Sequence, residues 1–234
     1  MKNIKQSEID LVAKVFGDVF DKYDLMNDIM SLGVHRVWKK RMIDWMNPQK
    51  GNHLIDVASG TGDIAKSFLE KIDFEGRATC VEPNKLMLGM GKNKLKNLNK
   101  IQWISAEAEK LPLKDESYDF YSVSFGIRNF YNIDKSLKEA RRVLKKGGRI
   151  LCLEFSKVEN EMLRKLYKTY SKSIPYIGKY ITGKSEPYQY LVDSIEKFYS
   201  QEELSKILKK NGFDEVEYRN LSGGIVAIHS GWKI

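Results

Sequence analysis

A chain of 234 residues, 42 % of them hydrophobic, can bury the core of one large domain, which excludes a disordered protein. Two cysteines and three histidines without ligand spacing give neither a disulfide framework nor a metal site. The net charge of +9 comes from lysines dispersed along the sequence rather than gathered in one arm, so it reads as solvated surface and not as a nucleic-acid footprint.

The opening residues, Met1 to Glu8, lack the apolar segment of a signal peptide, and no stretch approaches the roughly 20 apolar residues of a membrane span. A cytoplasmic protein is expected. Val12, Val15, Phe16, Val19, Phe20 and Tyr23 recur at helical spacing and predict an amphipathic helix. A second stripe, Val34, Val37, Trp38, Met42, Trp45 and Met46, runs to Asn47-Pro48, where proline disfavours helix in the residue before it. Residues 1–50 therefore read as a helical cap, either a brace or a partner in substrate binding.

Leu54-Ile55-Asp56-Val57 is an apolar strand pattern that ends in the turn Ala58-Ser59-Gly60-Thr61-Gly62-Asp63, and Ile64, Ala65, Phe68, Leu69 and Ile72 then continue at helical spacing. Gly60 and Gly62 permit backbone angles closed to other residues and let a ligand approach the main chain. Ala78 to Glu82 follows as a strand ending in a carboxylate. Gly60-Thr61-Gly62-Asp63-Ile64-Ala65 also satisfies the G-x-G-x-x-A fingerprint of dinucleotide-binding folds. Asp56 and Asp63, however, would both repel a pyrophosphate, whereas they suit a cationic ligand. S-adenosylmethionine carries a sulfonium, an ammonium and two ribose hydroxyls that Glu82 can accept in hydrogen bonds, so it is the expected cofactor.

Leu86, Met87, Met90, Leu95 and Leu98 predict the next helix, Ile101 to Ile104 a third strand, and Tyr118 to Ser124 a fourth. Ile133, Leu137, Ala140 and Leu144 predict a helix stopped by Gly147-Gly148, with a fifth strand over Arg149 to Glu154. Such alternation implies right-handed crossovers and a parallel sheet covered on both faces. Cys80 and Cys152 fall inside strands and read as core thiols. Residues 160–199 are rich in tyrosine, show no strand and read as a helical insertion or lid, leaving 51–159 and 200–234 as the core of one 1–234 domain. Ser200-Gln201-Glu202-Glu203 is a capping-box pattern, Gly212 ends that helix, and Phe213 to Leu221 with Ile225 to His229 predict a terminal antiparallel hairpin.

From Val15 to Lys233 the chain resembles the ubiquinone/menaquinone biosynthesis C-methyltransferases (UbiE/MenG family). The resemblance is carried by Lys22-Tyr23-Asp24-Leu25-Met26-Asn27, His35-Arg36-Val37-Trp38-Lys39, Ser124-Phe125-Gly126-Ile127-Arg128-Asn129, Leu153-Glu154-Phe155-Ser156 and Tyr190-Leu191-Val192-Asp193-Ser194-Ile195. It implies a Rossmann-like, seven-stranded class I fold dependent on S-adenosylmethionine, with cofactor contacts at Thr61, Glu82, Glu107, Ala108 and Ser124 beside Asp56, Gly60 and Gly62. The chain departs from the family pattern with Ser59 for glycine, Glu82-Pro83 for Asp-Ile, Glu107 for Asn or Asp, and Tyr199 for proline.

The implied reaction methylates a ring carbon of a polyprenylated benzoquinol or of demethylmenaquinol. A ring carbon is a poor nucleophile until an adjacent phenol, with a reference pKa of about 10, is ionised. Arg128, just after strand four, either stabilises the phenolate, polarises a water or forms a structural ion pair. Asn129 either holds the same loop or bonds a quinol oxygen, and Tyr23 and His35 face the site from the cap, His35 alternatively as a satisfied structural histidine. Ser124-Phe125-Gly126-Ile127 stands where amino-group methyltransferases of nucleic acids place Asn/Asp-Pro-Pro-aromatic, so no nucleic-acid partner is expected. A peripheral contact with the inner membrane face, a homodimer or a quinone-synthesis assembly are further expectations, with the prenyl tail lying between cap and insertion.

Overall fold

The computed structural model describes Ser31 and residues 33–234. The Val12 to Tyr23 stripe, and with it Tyr23, lies outside the described residues. The strands are β1 (His53–Val57), β2 (Arg77–Val81), β3 (Ile101–Ile104), β4 (Tyr118–Ser124), β5 (Leu144–Phe155), β6 (Asp214–Leu221) and β7 (Val226–Trp232). They form one sheet of order β3-β2-β1-β4-β5-β7-β6, in which β7 alone runs against its neighbours. The expected hairpin is present, with β7 inserted beside β5. Successive strands leave β1 first toward β2 and then, with β4, toward the other side. Ligands of open α/β sheets sit outside the carboxyl ends of strands at such a reversal.

Seven helices among the described residues cover the sheet: α1 (His35–Met46), α2 (Asp63–Lys71), α3 (Lys85–Lys94), α4 (Ile133–Val143), α5 (Glu161–Thr182), α6 (Glu186–Lys197) and α7 (Gln201–Lys210). Side chains alternate along β5, so Leu151, Leu153 and Phe155 pack with Trp38, Met42, Phe68, Ile174 and Tyr188 on one face. Ile150 and Cys152 pack with Leu137, Leu204 and Phe213 on the other. The 160–199 segment is thus a pair of helices that shares one core with α1, α2 and the sheet. A side chain at Gly178 of α5 would run into the Tyr188 ring of α6, so the two helices need glycine there to approach. Both cysteines are free and buried, and burial holds each thiol well above its usual pKa.

The α4–β5 boundary and the buried face of α1 differ from expectation, and β7 runs on to Trp232. Leu144 leaves α4 with extended backbone and is fully buried beside Tyr118, so β5 begins there and not at Arg149. Gly147, with φ +75°, belongs to an irregular stretch inside the strand, where the register with β4 shifts. On α1 the buried face is His35, Trp38, Met42, Ile43 and Met46, while Val34 and Val37 are exposed. The Trp38 indole N–H donates to Ser222 Oγ (2.9 Å), which fixes the helix rotation against the β6–β7 turn. The Ser200 capping box forms as expected, its hydroxyl accepting from the Glu203 N–H (3.3 Å) while Glu203 accepts from the Ser200 N–H (2.8 Å).

Among the described residues no helix is long and apolar enough to cross a membrane. His229 of β7 is buried under α7, where Nε2 donates to the Gln201 carbonyl (2.9 Å) and Nδ1 has no partner. Burial lowers its pKa from 6.5 to about 4. Between those values the unfolded chain binds a proton that the folded one refuses, so this contribution to stability falls as pH drops from 6.5 toward 4, by about 3 kcal/mol in all. Urea titrations at pH 7.5 and 4.5 should show His229→Gln losing distinctly less stability on acidification than the parent chain; equal losses would remove His229 as the cause.

Candidate active site

The turn after β1 is held from behind. Glu82, just past β2, accepts from the Gly60 N–H with Oε2 and from the Asn84 N–H with Oε1, both at 2.9 Å. Burial raises its pKa, and those two amides oppose the rise. Each oxygen keeps a second lone pair for a ligand. Gly62 has φ +84°, and a Cβ there would meet Trp103 at 2.7 Å, so both conformation and space require glycine. Ala58 and Phe125, at the ends of β1 and β4, have left-handed backbones (φ +54° and +57°), a strained conformation that clusters at functional sites.

A cleft opens between these ends, lined by Lys39, Asp56, Ser59, Thr61, Asp63 and Ser124 among others. Asp56 is buried at its floor, with Oδ1 accepting from the Ser122 hydroxyl (2.7 Å) and Oδ2 without a partner. Burial pushes its pKa up to about 7, against the opposing Ser122 bond and the charge of Lys39. The Ser124 hydroxyl is likewise buried without a partner, and that of Ser59 has only the Cys80 thiol beside it. Such orphans are rare and call for a ligand. A carboxylate, two hydroxyls and a glycine turn fit the charged amino-acid end of S-adenosylmethionine, and Glu82 fits its ribose.

Asp63 requires a correction. It does not present a bare carboxylate, because Lys39 of α1 and Lys94 of α3 both reach it at 2.9 Å, and Lys94 also donates to Thr61 Oγ1 (3.2 Å). Burial favours its neutral form, yet the two ammonium groups override this and hold the carboxyl well below the usual range. The preference for a cation therefore rests on Asp56 and Glu82 alone. Lys39 escaped the sequence reading because its partner lies 24 residues away. Glu107 and Ala108 follow β3 outside this cleft, the first exposed and the second buried.

The end of β4 builds the neighbouring region. Ile127–Asn129 forms one 3-10 turn, and Arg128 is buried in it. Its Nη1 donates to the Phe125 carbonyl (2.6 Å) and to Glu154 Oε1 (2.8 Å), in an ion pair whose side chains are only 4 % and 1 % exposed. Of the roles open to Arg128, the ion pair is the one displayed, while its Nε is buried without a partner. Asn129 Oδ1 accepts from the Tyr190 hydroxyl (2.9 Å), tying the turn to α6. Trp38, Phe125 and Phe155 form an aromatic cluster, with ring centroids 5.0 to 6.3 Å apart, and Phe125 also lines the cleft. His35 bonds through Nδ1 to Ser31 Oγ (3.0 Å) and serves the start of α1. The Tyr167 phenol of α5 is buried, and burial pushes its pKa up to about 12, opposed first by the neighbouring Ser171 hydroxyl and more weakly by the Arg128 charge. In the sequence Tyr167 was one of many tyrosines with nothing to distinguish it.

The model of the ubiE/COQ5 methyltransferase family matches residues 1–233. The chain belongs to this family. It is 50 % identical over 240 residues to the ubiquinone/menaquinone biosynthesis C-methyltransferase UbiE of Brucella anthropi, spanning all of this chain and 91 % of that one. The protein of the same name from Brucella suis is 49 % identical over 230 residues, with 96 % and 86 % covered. Among solved structures, a SAM-dependent methyltransferase from Thermotoga maritima superposes with a TM-score of 0.66 at 21 % identity, over 94 % of this chain and 99 % of that one. The citrinin polyketide synthase CMeT domain gives 0.69 at 12 % identity, over 94 % and 58 %. These likenesses show the class I methyltransferase fold. In this UbiE/COQ5 member the glycine turn and the Arg128–Glu154 pair stand at neighbouring strand ends, since Val57 is in register with Val123 and Ser124 with Leu153.

Replacing Arg128 by Met strands Glu154 as a buried, uncompensated acid and should cost about 3 to 5 kcal/mol of stability in urea titrations. Adding Glu154→Leu should restore much of that loss. A single variant as stable as the parent would mean that the pair does not hold this end of the sheet.

Proposed function

We propose that this protein transfers a methyl group from S-adenosylmethionine to a ring carbon of a polyprenylated benzoquinol or demethylated naphthoquinol, in ubiquinone or menaquinone biosynthesis. Family membership and the names of relatives at about half identity support this reading. The structural observation that carries it is the pair of unsatisfied buried groups on Asp56 and Ser124 in one cleft, with a buried guanidinium in the turn that follows β4.

The cofactor supplies an electrophilic methyl on a cationic sulfur. The turn with Gly60, Thr61 and Gly62 holds its amino-acid end together with Asp56 and Ser124. Glu82 accepts from the ribose, and Glu107 and Ala108 lie toward the base. On the acceptor side Arg128 would offer Nε–H to a quinol oxygen and so favour the phenolate, the phenol proton and later the displaced ring proton passing to water, while Glu154 fixes the direction of the guanidinium. A guanidinium stays protonated, so its part is stabilisation and not proton abstraction. Asn129 keeps the turn in place, and Tyr23 completes the acceptor site from the amino-terminal segment. With both ligands bound, these residues would hold the ring carbon at the near-attack distance of roughly 3 to 3.5 Å from the methyl, which removes several kcal/mol of barrier. A substrate with a prenyl tail also implies that the protein works in peripheral contact with a membrane.

Incubation with S-adenosylmethionine and a short-tailed demethylated quinol should yield a product whose new methyl is on carbon, by NMR; a methyl on oxygen would overturn the assignment. Cofactor binding has a pH signature as well. Asp56, raised to about 7 chiefly by burial, must ionise beside a cation, so affinity should rise roughly tenfold between pH 5.5 and 7, with proton release. Calorimetry in two buffers reads this, and Asp56→Asn should bind more weakly with a flatter profile. A steep profile retained in that variant would assign the proton elsewhere.

A further inference from the structure

The outer face of α5 is unlike the rest of the surface. Met162, Leu166, Tyr176 and Tyr180 are 74 %, 59 %, 78 % and 93 % exposed. On a helix they fall within an arc of about 80° and extend over about 27 Å. Single exposed apolar residues are ordinary, but an aligned row of large ones marks an interaction surface. Lys165, Lys172 and Lys179 recur every seven residues and therefore line one flank of the row. With Arg164 and Lys168 they make five cations on a helix whose only acid is Glu161, which pairs with Lys165 at 3.1 Å. Four of the lysines dispersed along the sequence thus share this one helix.

We propose that this face of α5 docks the protein on an anionic lipid bilayer. The assignment of a polyprenylated substrate gives the docking its purpose, and in that respect it rests on the function proposed above. The chemistry selects this partner. Tyrosines with one apolar body and one polar tip belong at a membrane interface, apolar residues enter it, and flanking lysines meet lipid phosphates. With no spanning helix among the described residues, the contact lies on the surface. The inner face of the same helix carries Tyr167 toward Arg128 and buries Ile174 against Tyr188. A bilayer on the outer face is thus separated from the acceptor region by one helix diameter, about 10 Å.

The test is the triple variant Leu166→Ser/Tyr176→Ser/Tyr180→Ser in the full chain, which changes exposed side chains only and should melt with the parent. In sedimentation with vesicles of equal parts phosphatidylcholine and phosphatidylglycerol, the parent should bind at least about tenfold more strongly than the triple variant and be released by salt. On phosphatidylcholine alone it should bind weakly. Both proteins should methylate a tail-less quinol analogue alike, while the triple variant should be about tenfold slower on a long-tailed quinol dissolved in the vesicles. Equal vesicle binding by the two proteins, or none by either, overturns the docking. So does a parent chain that dimerises without lipid where the triple variant is monomeric, since a second copy would then be the occupant. Failure of both proteins to methylate the tail-less analogue would instead overturn the substrate assignment, and the vesicle result would still stand by itself.

Discussion

A guanidinium and a carboxylate taken out of water at the adjoining ends of β4 and β5 organise the functional end of this molecule. Glu154 receives Arg128 Nη1 and the Phe155 N–H, and Arg128 returns a bond to the Phe125 carbonyl. Because charges in a protein interior are tolerated only when paired and hydrogen-bonded, each partner dictates the position of the other. The 3-10 turn is then fixed relative to β5, Asn129 carries that order to Tyr190 on α6, and the strained Phe125 is held beside the cleft. Burial favours a neutral Glu154 while Arg128 opposes this, so the balance at the pair responds to whatever approaches the unpartnered Nε.

The neighbouring cleft uses the same physics in a looser form. Asp56 has one oxygen satisfied by Ser122 and the other buried without a partner, and Lys39, whose charge favours its ionised form, is paired with Asp63. A carboxyl poised between its two forms near neutrality gains most from a ligand that brings its own positive charge. Lys39 and Lys94 bridge α1 and α3 to the start of α2, so the mouth of the cleft is tied by ion pairs that are partly open to water, and such pairs are weak.

Much of this architecture is legible in the residues. Short strand patterns of four to seven residues placed β1 to β4 closely, most clearly β1 and β2, whose buried runs leave little ambiguity, and the Gly60–Gly62 turn marked the strand end at which the cleft opens. The beginning of β5 was missed since Leu144 satisfies helical spacing as well as strand burial. Pairings between distant residues could not be read at all: Asp63 with two lysines, Arg128 with Glu154, and Trp38 with Ser222 depend on the packing of helices on the sheet. The buried phenol of Tyr167 is equally a property of packing, whereas the heptad spacing of Lys165, Lys172 and Lys179 was present in the sequence and became meaningful only with the exposed row beside it.

The burial of both cysteines has a consequence for the chemistry that this protein has to survive. Quinols oxidise to quinones, and a quinone ring is an electrophile that adds to thiolates. The nucleophile in such an addition is the ionised sulfur, and reactivity follows its accessibility. Cys80 and Cys152 are enclosed in β2 and β5 and are kept protonated by desolvation. With no other cysteine in the sequence, the folded chain offers its oxidised substrate no accessible thiol, and that immunity is lost whenever β2 or β5 unfolds.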